Sequence, residues 1–191
     1  KNITRDTVLG TTGQNKRIEA IKITSKETAY AYRVHQKSVG WSEWMVNGQW
    51  AGTKGKGLQI EAVEIMVAKF LVDPHVQNKG WLGARACENI IGITGHNLRL
   101  EAFKIDPLNM IIKAKAHIQG IGWKDYGQID KNTVIGTVGE NKRIECLCFE
   151  GDFEYRVHVQ NSGWTDWTKA DGTATLGTVG QALQIEAIQF R

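Results

Sequence analysis

The chain has 191 residues, 41% of them hydrophobic and 23% charged, a length and balance that sustain a packed core and exclude a largely disordered polypeptide. Its net charge of +4 comes from basic residues scattered singly, without the runs that track a phosphate backbone, so nucleic acid is not an expected partner. No apolar stretch reaches membrane-spanning length, which argues against membrane insertion, and Lys1-Asn2-Ile3-Thr4 has no signal-peptide core.

Along the chain, a glycine turn at Gly10-Thr11-Thr12-Gly13 precedes the apolar-acidic segment Arg17-Ile18-Glu19-Ala20-Ile21. The pair then recurs. The turn returns at Gly52-Thr53-Lys54-Gly55, Gly92-Ile93-Thr94-Gly95, Gly136-Thr137-Val138-Gly139 and Gly177-Thr178-Val179-Gly180. The segment returns around Glu61, Glu101, Glu145 and Glu186, with successive glutamates 42, 40, 44 and 41 residues apart. Between them a second block, His followed five residues later by Gly-Trp, occurs four times: His35 with Trp41, His75 with Trp81, His117 with Trp123 and His158 with Trp164. Five copies of one block against four of the other place the chain's start halfway through a unit. The repeats run over about 1–24 (partial), 28–67, 68–106, 110–150 and 152–191, read as a single repeat-built domain of about four and a half units. Either residues before Lys1 were removed or another chain completes the partial unit, which would make self-association possible.

The last copy is the clearest to read. Glu154 to Gln160 alternates around Tyr155, Val157 and Val159 and stops at Asn161-Ser162-Gly163, the signature of a half-buried strand ended by a turn. Trp164 and Trp167 follow, Asp171-Gly172 supplies a tight turn, and residues 173–178 and 184–190 read as further strands. The fold class is therefore all-β, with units of three to four short strands. One such unit cannot bury its own apolar face, whereas several about an axis can share one. A β-propeller is the favoured arrangement and a pseudo-threefold β-prism the alternative.

The series Tyr32-Arg33-Val34-His35, Gly40-Trp41-Ser42-Glu43-Trp44, Asn47-Gly48, Gly52-Thr53-Lys54-Gly55 and Ile60-Glu61-Ala62 resembles the clostridial hydrophobic repeat with its signature tryptophan (ChW). The resemblance covers nearly the whole chain. It implies a secreted or surface-attached protein of a Gram-positive bacterium, acting in adhesion, polysaccharide binding or protein interaction. The copies differ in the second aromatic, which is Trp44 and Trp167 in the first and fourth full repeats, Ala84 in the second and Tyr126 in the third.

The invariant Gly-Trp tryptophans read as core, and the variable aromatics as surface suited to stack on a sugar. Candidate ligand contacts are Trp44, Asn47, Trp50, Tyr126, Asp166, Trp167 and Asp171, with Glu43 and Asp125 close by in sequence. The repeated histidines sit in equivalent places of separate units, so they do not form one metal site and are expected in strands beside a carboxylate or backbone partner. The repeated glutamates share strand faces with apolar residues and need donors where they are half buried.

Catalysis by paired carboxylates requires two groups in different environments across one substrate, whereas repetition gives each glutamate the same environment. The Gly-x-x-Gly turns precede strands, not helices, so they are not phosphate cradles. An enzyme is not expected, and no cofactor or metal is called for. Cys146 and Cys148 lie two apart on one strand face, without bridging geometry. Cys146 stands where other repeats carry Ala, which suits a small buried residue. The expected function is non-catalytic binding at a cell surface, with cell-wall or host glycan as the leading partner and a surface protein as the alternative.

Overall fold

The computed structural model describes residues 9–25 and 28–191. The described residues form strands and turns, in two compact units divided between Val67 and Ala68. This division coincides with a repeat boundary.

Unit 1 holds β1 (Ala20–Ile21), β2 (Tyr30–Gln36), β3 (Gly40–Trp41), β4 (Met45–Val46), β5 (Ala51–Gly52) and β6 (Ile60–Val67). The long strand β2 pairs antiparallel with β6 along its length, while β3 and β4 fold back on it. The short strand β5 leaves its own repeat and pairs with β1 of the preceding one. Tyr32, Val34 and Ala51 form a small core, with Ile21, Ile23, Tyr30, Met45 and Ile60 packed against it.

Unit 2 repeats this plan three times. The second repeat supplies β7 (Leu71–Val76), β8 (Gly80–Trp81), β9 (Arg85–Ala86), β10 (Ile91–Gly92) and β11 (Leu100–Asp106). The third supplies β12 (Lys113–Ile118), β13 (Gly122–Gln128), β14 (Ile135–Gly136) and the first half of β15 (Ile144–Val159). The fourth takes the second half of β15, then β16 (Gly163–Trp164), β17 (Thr168–Asp171), β18 (Leu176–Gly177) and β19 (Ile185–Phe190). In each repeat the His-bearing strand pairs with that repeat's Glu-bearing strand: β7 with β11, β12 with the start of β15, and the end of β15 with β19.

The short Gly-ended strands are again exchanged between repeats. Strand β14 pairs with β11 of the second repeat, β18 with β15 of the third, and β10 with β19 of the fourth. Each repeat thus gives one strand and receives one, and the exchange closes on itself after three steps. Inside lies a shared core in which Phe70, Phe149, Phe153 and Phe190 meet edge to face or tilted, with ring centroids 5.1–5.9 Å apart. Fully burying one such side chain stabilises the fold by about 1.5–3 kcal/mol, so the core is the main reason for the unit's cohesion.

The ladders make several separate antiparallel sheets of two, four, five and eight strands. One detail differs from the sequence reading. The third strand expected over 173–178 contracts to Leu176–Gly177, because it exists only where it lies on the neighbouring repeat. The third and fourth repeats are joined by one continuous 16-residue strand, β15. Cys87, Cys146 and Cys148 are buried free thiols; burial pushes the Cys87 thiol up to about 12, with the adjacent Glu88 adding to the effect.

Candidate functional surface

The side chains that recur are brought together by a shared irregularity of the sheet. In all four full repeats the pairing register slips by one residue at the glutamate: Ile60 opposes Gln36 but Ala62 opposes His35, and the same holds at Glu101, Glu145 and Glu186. The extra residue is a β-bulge, and it sets each carboxylate beside the His of the paired strand. His Nδ1 lies 3.2 Å from Glu61, 3.3 Å from Glu101, 2.9 Å from Glu145 and 3.1 Å from Glu186 in the four repeats. Arg99 and Arg143 hold the other carboxylate oxygen of Glu101 and Glu145 at 2.8 Å. These partners meet the cost of burying Glu101 and Glu145, which would be large for an unpaired charge.

On its other side each His faces the Gly-Trp indole, its cross-strand neighbour. The four His–Trp pairs are edge-on, with centroids 5.2–5.6 Å apart. Every full repeat therefore carries the same line of contacts from glutamate to histidine to tryptophan.

That line ends in solvent. Trp41, Trp81 and Trp123 are 41%, 37% and 46% exposed and Trp164 is half-buried, which corrects the expectation that these tryptophans fill the core. The reason is the strand's alternation. In β2 the inward positions belong to Tyr32, Val34 and Gln36, leaving Arg33 and His35 on the outer face, and the cross-strand Trp must share the face of its His.

Cations cover part of this aromatic surface. The Arg33 guanidinium lies 4.7 Å from the Trp41 ring and 4.8 Å from Trp44, and is held by Glu64 at 2.6 Å. Arg156 does the same in the fourth repeat, 4.8 Å from Trp164 and 4.7 Å from Trp167, held by Gln189, while Arg191 lies 4.5 Å from Trp167. Lys104 lies over Trp81. Such cation–π contacts contribute about 0.5–1 kcal/mol each at exposed sites and fix the indoles in place.

The sequence-selected residues fall out as follows. Trp44 and Trp167 are half-buried members of these Arg-centred pairs. Trp50 is exposed, with Lys54 Nζ 3.2 Å from its ring. Tyr126 is half-buried; its hydroxyl accepts the Gly136 N–H at 2.8 Å, and burial raises its pKa. Asn47 bonds reciprocally with the Ser25 backbone at 2.7 and 2.8 Å, so it ties a turn. Asp171 accepts the N–H groups of Thr173 and Ala174 and the Thr173 hydroxyl; these bonds, led by those from the Ala174 and Thr173 backbone, lower its pKa. Asp166 is exposed beside Trp167. In unit 2 an open depression of about 530 Å³ is lined by Asp171 together with Lys69, Asp152, Glu154, Lys169 and Arg191. Arg33 and Arg156 were missed from the sequence, although each stands two residues before its His, the spacing that shares a strand face.

A family model described as Clostridial hydrophobic W matches residues 35–69, 75–108, 117–148 and 158–191, each match opening on the His of the contact line. No curated protein and no solved structure matches the chain.

Proposed function

The chain belongs to the Clostridial hydrophobic W repeat family, and from that premise we propose that it is a non-catalytic cell-surface binding module whose target is wall or host carbohydrate. The observation that carries this reading is the outward presentation of the four Gly-Trp indoles, each aligned by a His that is itself paired with a bulged Glu. Leaving a large apolar ring in water forgoes burial, and fixing its orientation suits a flat stacking surface for the C–H face of a sugar.

The first and fourth repeats are the strongest candidates. There Trp44 joins Trp41 and Trp167 joins Trp164 around an Arg, so an aromatic platform adjoins a donor-rich guanidinium that can bond sugar hydroxyls. Asp166 adds an exposed carboxylate beside Trp167. Trp50, and Tyr126 in the third repeat, are further aromatic contacts, whereas Asn47 and Asp171 act by shaping the turns at the rim. The second repeat, with Ala84 at the second aromatic position, contributes least.

Carboxylates in repeated, equivalent pairings with His favour binding over hydrolysis, which needs two carboxyl groups held in different states. As an architecture, the three-step strand exchange in unit 2 favours the threefold, prism-like alternative over a propeller. Glycan-array and cell-wall pull-down binding, followed by tryptophan fluorescence, tests the proposal. Saturable binding weakened about tenfold by Trp167→Ala or Trp44→Ala, equal to about 1.4 kcal/mol each, is the expected result. A folded chain that binds no glycan or wall preparation overturns it.

A further inference from the structure

One cross-strand pair on the outer face carries a different combination of charges in each full repeat. Its first member stands two residues before the His of the contact line and its second three residues after the bulged Glu. The pairs are Arg33 with Glu64, Asp73 with Lys104, Lys115 with Cys148 and Arg156 with Gln189. In the first repeat the charges cancel in an ion pair of 2.6 Å. In the second, Asp73 opposes Lys104, so the signs are swapped between the strands and cancel again. In the third, Cys148 is a buried thiol and Lys115 pairs instead with Asp125 at 3.0 Å.

The fourth repeat is the exception, because Gln189 is neutral. Its Oε1 accepts from Arg156 Nε at 2.9 Å and from Nη2 at 2.7 Å, so it holds the guanidinium much as Glu64 holds that of Arg33. Both guanidiniums lie 4.7–4.8 Å from two indoles. One is neutralised, whereas Arg156 forms no ion pair among the described residues and its Nη1 makes no hydrogen bond there. The second guanidinium near Trp167, that of Arg191, is paired with Glu154 at 2.6 Å. Asp166 is exposed, so water and salt screen it.

We infer, on the footing of the carbohydrate-binding function proposed above, that the fourth repeat selects a uronic acid, its ring on Trp164 and Trp167 and its carboxylate on Arg156, whereas the first repeat takes a neutral sugar. A guanidinium already paired with a carboxylate gains little from a second anion, while an unpaired one forms charge-assisted hydrogen bonds about twice as strong as neutral ones. In a uronate the carboxylate is attached directly to the sugar ring, which suits a cation held within a few ångströms of the stacking surface. Gln189 supplies the hydrogen bonds that position Arg156 without a charge that competes with the ligand.

The test is titration of the full chain, followed by tryptophan fluorescence, with uronate oligosaccharides of several backbones, the methyl esters of the same oligosaccharides, neutral glycans and a phosphate-bearing wall polymer. Thermal melting controls for folding. The ester keeps the sugar and removes the charge, and a Trp44→Ala background isolates the fourth repeat as Trp167→Ala isolates the first. The fourth repeat is expected to bind a uronate about tenfold more tightly than its ester. Gln189→Glu, which installs the carboxylate of the first repeat, is expected to erase that preference, and Glu64→Gln to confer it on the first repeat. Acid and ester bound alike, a preference untouched by Gln189→Glu, or tighter binding of the phosphate-bearing polymer than of any uronate each overturns the uronate assignment and leaves glycan binding standing. A folded chain that binds no glycan overturns both.

Discussion

At the residue scale, the side chains that matter are held by short-range partners the sequence only partly announces. Asp171 was selected for its place near Trp167, yet its carboxylate is engaged with the backbone of its own turn. Its folded pKa is depressed below the ordinary 3.8, so the turn contributes stability that is present above the unfolded value and is lost as pH falls through the lower folded value. Asn at this position keeps an oxygen acceptor but does not titrate. Asp171→Asn is therefore expected to flatten the loss of stability below about pH 4, measured by urea unfolding across a pH series, while changing little near neutrality. The Gly-Trp indoles show the opposite error of reading. Their retention in every copy suggested packing, but the same retention follows from a repeated contact with His on the outer face.

Among the elements, the exchanged strands are the decisive ones, although each is only two residues long. The glycines of the Gly-x-x-Gly turns share positive φ in all five copies, but they are not equivalent. Gly136 presses on Glu101 and Ala102, with a Cβ position 2.3 Å from the Glu101 oxygen, whereas Gly139 has nothing within 4 Å. Gly136→Val is expected to lose about 3 kcal/mol or more through strain and steric overlap, and Gly139→Val only about 1–2 kcal/mol from the left-handed backbone. Chemical denaturation of the two variants checks the ranking; equal losses would mean that strand docking contributes nothing beyond the turn. The β-bulges belong to this scale too. A single extra residue in each Glu-bearing strand turns the carboxylate toward His, and alternation read along one strand cannot reveal it.

For the whole molecule, the unequal completion of the two units predicts unequal independence. Unit 2 closes its exchange and surrounds a core containing Phe70, Phe103, Phe149, Tyr155 and Phe190, whereas in unit 1, among the described residues, β6 pairs with β2 alone and the core gathers around Tyr32, Val34 and Ala51. Residues 68–191 expressed alone are expected to unfold in one cooperative transition, at the same temperature as the more stable transition of the full chain. Residues 1–67 alone are expected to melt lower or not to fold. Calorimetry of the three polypeptides gives the comparison directly.

The amino-acid sequence by itself determined the repeat, its period, its all-β character and the positions of its turns, because these depend on local alternation and on glycines whose backbone conformation other residues resist. It also located the aromatic-rich segment between His35 and Trp50 and its counterpart between His158 and Asp171. What only the tertiary structure decided is which strand lies on which. The pairing of Gly136 with Ala102, or of Gly92 with Ala187, joins segments far apart in the chain. Those contacts close the exchange in unit 2 and enclose its shared core.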